Sequence, residues 1–148
     1  MPWFEKSAWI DAPPAEVFRF HERPDALQLL TPKFPPVRMI SRSGDGIAVG
    51  TRVELRVVVF HWVAMHTVYE KDRLFVDEQV QGPFAKWVHR HEFSPEGSGT
   101  RLTDLIEYLL PGGMLVNALL GWAVRPGLND MFKHRHRITR QYCEAVKR

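Results

Sequence analysis

FVDEQVQGPFAKWVHRHEF, residues 75–93, reads as two strands folded back on one turn. Gly82-Pro83 interrupts the stretch, and side chains alternate in character on either side of it. In the second arm Ala85, Trp87, His89, His91 and Phe93 share a face, while Lys86, Val88, Arg90 and Glu92 share the other. A period of two is the signature of a pleated strand, because successive side chains leave a strand on opposite sides. The first face is apolar and aromatic apart from two histidines, so it is expected to point inward. In the first arm Phe75, Asp77 and Gln79 fall on one face.

The same period extends in both directions. Upstream, residues 37–41, 51–60 and 63–70 read as strands, with turns at Ser43-Gly44-Asp45-Gly46 and Lys71-Asp72-Arg73. Val53, Leu55, Val57 and Val59 form one face of the second of these, and Trp62, Ala64, His66 and Val68 one face of the third. Downstream, the turn at residues 95–99 leads into residues 100–110, where Leu102, Asp104, Ile106 and Tyr108 share a face. Consecutive strands with short polar turns and no intervening helix predict an antiparallel meander and exclude a parallel α/β sheet.

Outside the meander the pattern is different. Residues 3–11 alternate loosely as a first strand, Pro13-Pro14 opens a helix carrying Val17, Phe18 and His21, and residues 25–30 form a second short helix. After Pro111-Gly112-Gly113 the period becomes helical. Residues 114–124 are one helical piece and residues 128–147 a long helix, with Leu128, Met131, Phe132, Ile138, Tyr142 and Val146 near i, i+3, i+4, i+7 spacing. A helix of about 20 residues spans roughly 30 Å and must bury its stripe on something. The meander is the large partner available. A curved seven-stranded antiparallel sheet wrapped around that helix satisfies both surfaces, and the space it leaves unfilled is a pocket. The expected architecture is α+β, one domain over residues 1–148.

This order of elements resembles the START-like helix-grip (SRPBCC) superfamily, with its polyketide cyclase/dehydrase and coenzyme-Q-binding relatives. The resemblance rests on AWIDAPPAEVFRF (residues 8–20), on residues 75–93, on GTRLTDLIEYLLPGG (99–113) and on MFKHRHRI (131–138), and it spans nearly the whole chain. It implies the fold and an internal cavity for a small hydrophobic molecule such as a lipid, quinone or polyketide-like compound. It implies no catalytic residue, because the superfamily places many functions on one scaffold.

The chain has 148 residues, 45% hydrophobic and 25% charged, with five Trp and nine Phe. That is the composition of a globular protein with aromatics to spare for a cavity wall. The formal charge is +3 and the isoelectric point about 9.2. Basic residues gather only at Lys133, Arg135, Arg137, Arg140, Lys147 and Arg148, read as a solvated helix face, so no nucleic-acid partner is expected. Cys143 is the single cysteine, read as a small packed residue. With no secretory signal and no apolar stretch long enough to cross a bilayer, a cytoplasmic protein is expected.

If the inward faces coincide, the cavity is lined by Trp62, His66, Phe75, Asp77, Gln79, Trp87, His89, His91, Asp104, Tyr108, Leu128, Phe132 and Arg135. The polar members form an internal network, recognise a ligand, or perform acid–base chemistry. In the last case, a cyclase or dehydratase, His89 or His91 is the base, Asp77 or Asp104 orients it, and Arg135 holds an oxyanion. Arg135 needs a carboxylate or ligand anion in either event. His89-x-His91 with His66 or Asp77 also has the residue types of a metal site, but without a supporting Cys or Glu cluster no metal and no cofactor is assigned. His134 and His136 are read as surface residues. Residues 114–124 are apolar nearly all round. They either pack over the pocket mouth or offer a contact surface, so a homodimer is a possible assembly.

Overall fold

The computed structural model describes residues 3–145 apart from Pro35 and Asp45. Val146, Lys147 and Arg148, expected near the end of the last helix, lie outside the described residues. Strand β1 (Trp3–Ile10) leads to helices α1 (Pro14–Glu22) and α2 (Ala26–Leu30). Six strands follow: β2 (Val37–Ser43), β3 (Arg52–Val57), β4 (Phe60–Glu70), β5 (Leu74–Gln81), β6 (Lys86–Glu96) and β7 (Gly99–Leu109). Helix α3 (Met114–Leu120), a 3-10 turn (Gly121–Val124) and the long helix α4 (Arg125–Ala145) complete the chain.

All seven strands form one antiparallel sheet in the order β1-β7-β6-β5-β4-β3-β2. Each hairpin neighbour pairs with the next, and β1 closes against β7. The register shifts at Met39/Ser41, Val63/Ala64 and His66/Val68. Such bulges bend a strand and increase its twist, which lets the sheet curve around α4. One end of the interior is filled by Ile10, Val17, Phe18, Phe20, Phe93 and Leu102 with Cys143. The other is filled by Phe4, Ile106, Tyr108, Leu128 and Phe132.

Several local expectations differ from the structure, among them Ala85, expected inward but exposed just before β6. The strand expected over residues 51–60 ends at Val57, and Val58 takes a positive φ of 58° in the hairpin. Val59 is consequently 76% exposed instead of sharing the face of Val53 and Leu55. β-Branched residues rarely adopt that conformation, so the sequence carries no turn signal there. Val68 is exposed as well, because the bulge beside it shifts the strand's phase. Helix α4 starts at Arg125 rather than after Pro126-Gly127. Pro126 sits in the first turn, where a missing N–H costs nothing. Its buried stripe is Leu128, Phe132, His136, Thr139 and Cys143; Met131 and Ile138 pack partly buried against the core, and Tyr142 is exposed.

Helix α3 turns its apolar residues outward. Met114, Leu115, Leu119 and Leu120 are exposed, as is Trp122 in the 3-10 turn that follows, and the residue that docks the helix is Asn117. Its Oδ1 accepts from the Leu110 N–H at 2.9 Å and its Nδ2 donates to the Tyr108 carbonyl at 3.2 Å. Of the placements expected for residues 114–124, the exposed surface is the one observed; only Val124 reaches the cavity.

Candidate functional site

Between the concave face of the sheet and helices α2 and α4 lies a cavity of about 370 Å³. Its walls are mostly apolar. Val53, Leu55 and Val57 come from β3, Trp62 and Ala64 from β4, Leu27 and Leu30 from α2, and Leu128, Met131 and Phe132 from α4. Trp62 meets Trp87 edge-on, with ring centroids 5.2 Å apart, and Phe84 packs against both. This aromatic corner is rigid, since each ring is held by two others.

Polar groups occupy one part of the wall. Strand register places Asp77 opposite His89, and His91 opposite Asp104. The side chains then reach diagonally, as neighbours two residues apart across a sheet can. His89 Nε2 lies 2.8 Å from Asp104 Oδ1. His91 Nδ1 lies 3.2 Å from the same oxygen, and its Nε2 lies 2.9 Å from Asp77 Oδ2. From α4, His136 Nε2 lies 2.6 Å from Asp104 Oδ2. The His89 and His91 rings stack with centroids 3.6 Å apart, and Phe75 stacks on the other face of His91 at 3.8 Å.

Electrostatics follow from these contacts. Burial alone would raise both carboxyl pKa values, but the imidazoles around them win. Donation from His136, His89 and His91 holds Asp104 well below the ordinary carboxylate range, and His91 with its neighbours holds Asp77 below it too. His91 faces a carboxylate through each nitrogen; burial opposes its charge, yet the two Asp raise its pKa. Each of its ring nitrogens is thus engaged by a carboxylate, at 3.2 Å from Asp104 and 2.9 Å from Asp77. His89 is pushed down by burial and by the neighbouring His91, and its Nε2 donates to Asp104. Burial also lowers His66, whose Nδ1 has no hydrogen-bond partner.

Arg135 stands apart from this network. It lines the cavity with its guanidinium carbon 5.3 Å from the centre of the Phe132 ring. Its Nε is fully enclosed and has no hydrogen-bond partner, and among the described residues it makes no ion pair. Burial lowers its pKa while the charges of Asp104 and Asp77 act in the other direction from beyond contact distance. An arginine keeps its proton under such conditions.

Ten of the thirteen residues expected to line the cavity do so: Trp62, His66, Phe75, Asp77, Trp87, His89, His91, Leu128, Phe132 and Arg135. Three do not. Gln79 folds over the turn after β5, where its Nε2 donates to the Phe84 carbonyl at 2.7 Å and its Oε1 accepts from the Phe84 N–H. Asp104 lies behind the two histidines. Tyr108 is buried and donates its hydroxyl to the Gly121 carbonyl at 2.7 Å. His136, expected at the surface, is 3% exposed and locks α4 to the sheet through Asp104. Its spacing from Leu128 and Phe132, multiples of four, is the signal for that position. His21 also enters the wall from α1. Its Nδ1 donates to the Val17 carbonyl at 2.9 Å, and burial lowers its pKa to about 4. Its shared helical face with Val17 and Phe18 marks it in the sequence. Cys143 is packed and its thiol pushed up to about 12 by burial, which removes it as a nucleophile.

A curved sheet gripping a helix, with an apolar interior cavity and a few convergent polar groups, defines the class of helix-grip ligand-binding folds. Within that class, a family model described as polyketide cyclase/dehydrase and lipid transport matches residues 10–136, and the chain belongs to that family. No curated protein matches the sequence. Among solved structures the chain is similar to the protein TTHA0849 of Thermus thermophilus, at 18% identity over 99% of this chain and 100% of that one, with a TM-score of 0.72. It is similar to a START superfamily protein of Mycobacterium smegmatis, at 15% identity over 97% and 98%, with a TM-score of 0.67. It also resembles part of a nucleoside-diphosphate sugar epimerase of Corynebacterium glutamicum, at 26% identity over 93% of this chain but 28% of that one, with a TM-score of 0.71. The first two likenesses concern the fold. Among the described residues no helix is long and apolar enough to cross a membrane.

Proposed function

We propose that this protein binds and carries a small hydrophobic molecule bearing one acidic or strongly hydrogen-bond-accepting group. A lipid acid, a quinone or an enolic polyketide-like compound fits this description. Its hydrocarbon or aryl body lies against Trp62, Trp87, Leu128 and Phe132, and its polar end meets Arg135. The observation that carries this reading is Arg135, whose enclosed Nε has no hydrogen-bond partner in a mostly apolar cavity wall. A buried cation is costly unless something faces it. Asp77 and Asp104 are already engaged by histidines, so the free position belongs to a ligand. The cavity falls inside the range of about 300–1,000 Å³ usual for small-molecule sites. Family membership, whose description includes lipid transport, supports the same reading.

Arg135→Met tests it with two probes, a medium-chain fatty acid and the alcohol of the same chain length. The parent protein prefers the acid. The variant keeps its stability, or gains some, and loses at least tenfold in affinity for the acid while binding the alcohol as before. If acid and alcohol respond alike, or if the variant matches the parent throughout, Arg135 does not meet the ligand and the reading fails.

A further inference from the structure

The wall opposite Arg135 holds a second chemistry. Asp104 Oδ1 faces one nitrogen of each stacked histidine, at 2.8 Å for His89 Nε2 and 3.2 Å for His91 Nδ1. The remaining nitrogen of each ring is turned toward one oxygen, Asp77 Oδ2, at 3.9 Å from His89 Nδ1 and 2.9 Å from His91 Nε2. The three residues thus offer two imidazole nitrogens and a carboxylate oxygen, all within 4.8 Å of one another. We propose that Asp77, His89 and His91 form a binding site for a divalent transition-metal ion, with its open coordination position facing the cavity.

Four features carry this. First, the donor types suit a zinc-class ion, which takes imidazole nitrogen and carboxylate oxygen at about 2.0–2.2 Å. Tetrahedral donors at those lengths stand about 3.3 Å apart; the observed donors lie within 4.8 Å of one another, so the stacked rings must turn to close on one ion. Second, the supporting shell is in place. Metal-bound histidines donate their other ring nitrogen to a carboxylate, which fixes tautomer and orientation. Asp104 does this for both rings at once, and His136 holds the other oxygen of Asp104 at 2.6 Å. Third, the Asp77 carboxylate lies in a largely dehydrated wall, where a cation offsets its charge. His91 Nε2 stands 2.9 Å from Asp77, and a metal binding there displaces any proton it carries to solvent. Fourth, Asp77, His89 and His91 all border the cavity together with His66, whose Nδ1 is unpartnered. A three-residue set with an open side is the arrangement of a site that receives a further ligand, whereas purely structural sites close with a fourth protein group.

The inference goes beyond carriage of an apolar molecule and can fail independently of it, since the fatty-acid and alcohol titrations are run without metal. To test it, the purified full-length chain is stripped with a chelator, then titrated with Zn²⁺ by calorimetry and with Co²⁺ by visible absorption. One ion per chain is expected, with Co²⁺ acquiring the intense ligand-field bands of a four- or five-coordinate inner-sphere site. Asp77→Asn and His89→Gln each weaken Zn²⁺ binding at least tenfold. His136→Gln, which touches only Asp104, weakens it about tenfold, the lower end for outer-shell partners. His61→Gln and His134→Gln, away from the cavity, leave it unchanged. Retention of binding in Asp77→Asn and His89→Gln, or its loss in the two control variants, overturns the proposal. Should the ligand variants not fold, the parent's Co²⁺ spectrum decides: the weak bands of a six-coordinate aqua ion overturn it.

Discussion

Asp104 is the residue on which the interior turns, and replacing it with leucine has a calculable cost. Its two oxygens accept from three imidazoles at 2.6, 2.8 and 3.2 Å, and the residue is 4% exposed. Removal leaves three buried donors unsatisfied, at about 1–3 kcal/mol each. It also strips His91 of one of its two carboxylate partners. These terms overlap, because the histidines share one acceptor and can lose protons or reorient. Measured losses for breaking a buried pair cluster at about 3–5 kcal/mol, and that is the expected loss. For a chain of this size it corresponds to a fall in Tm of roughly 6–20 °C. Urea unfolding followed by tryptophan fluorescence reads it directly, with an unchanged m value showing that only stability moved. Asp77→Leu serves as the internal comparison. Asp77 has one close histidine contact and a side chain 18% exposed, so its loss costs about half as much. A loss below about 1 kcal/mol for Asp104→Leu, or a larger one for Asp77→Leu, would refute the claim that Asp104 anchors the network.

His21 predicts a pH dependence. Its pKa falls from an ordinary 6.5 to about 4 in the folded protein, where it faces His91 and, further off, Asp104 and Arg135. The unfolded chain therefore binds the proton more readily, and stability is lost as pH drops from about 6.5 toward 4, by roughly 3 kcal/mol from this group. His21→Leu should flatten that part of the stability–pH curve; an unchanged slope places the dependence elsewhere. For the helix, His136→Ala should cost about 2–3 kcal/mol and His134→Ala less than about 0.5 kcal/mol in urea unfolding. Equal losses would mean that α4 is not pinned through Asp104.

The architecture was legible because period and punctuation agreed. Residues 75–93 gave the faces of β6 from Lys86 to Phe93, while Ala85, expected inward, is exposed before the strand and Phe84 lines the cavity; the change of period at Gly113 separated sheet from helix. What misled was of two kinds. Backbone irregularities leave no hydrophobic trace: the Val58-Val59 hairpin contains no Gly or Asn, and the bulge at His66/Val68 turns Val68 outward without any break in the pattern. Sorting by hydrophobicity also fails where the interior is itself polar. Because Asp104 is buried, the α4 position facing it is better filled by His136 than by an apolar residue, so the stripe runs through His136 and Thr139 while Tyr142 is exposed. The same reasoning explains α3, which docks through Asn117 and leaves its leucines outside.

In the proposed function the cavity, not the exposed apolar surface of α3, receives the ligand. A titration of an anionic anilinonaphthalene dye into three proteins tests it: the parent, Ala64→Trp, which fills the cavity from β4, and Leu119→Glu/Trp122→Glu, which makes the α3 surface polar. Circular dichroism confirms that each is folded. The account predicts one dye per chain in the parent, at least a tenfold loss of affinity in Ala64→Trp, and parent-like binding in the surface variant. Binding that survives the filled cavity but disappears with the polar surface would contradict it.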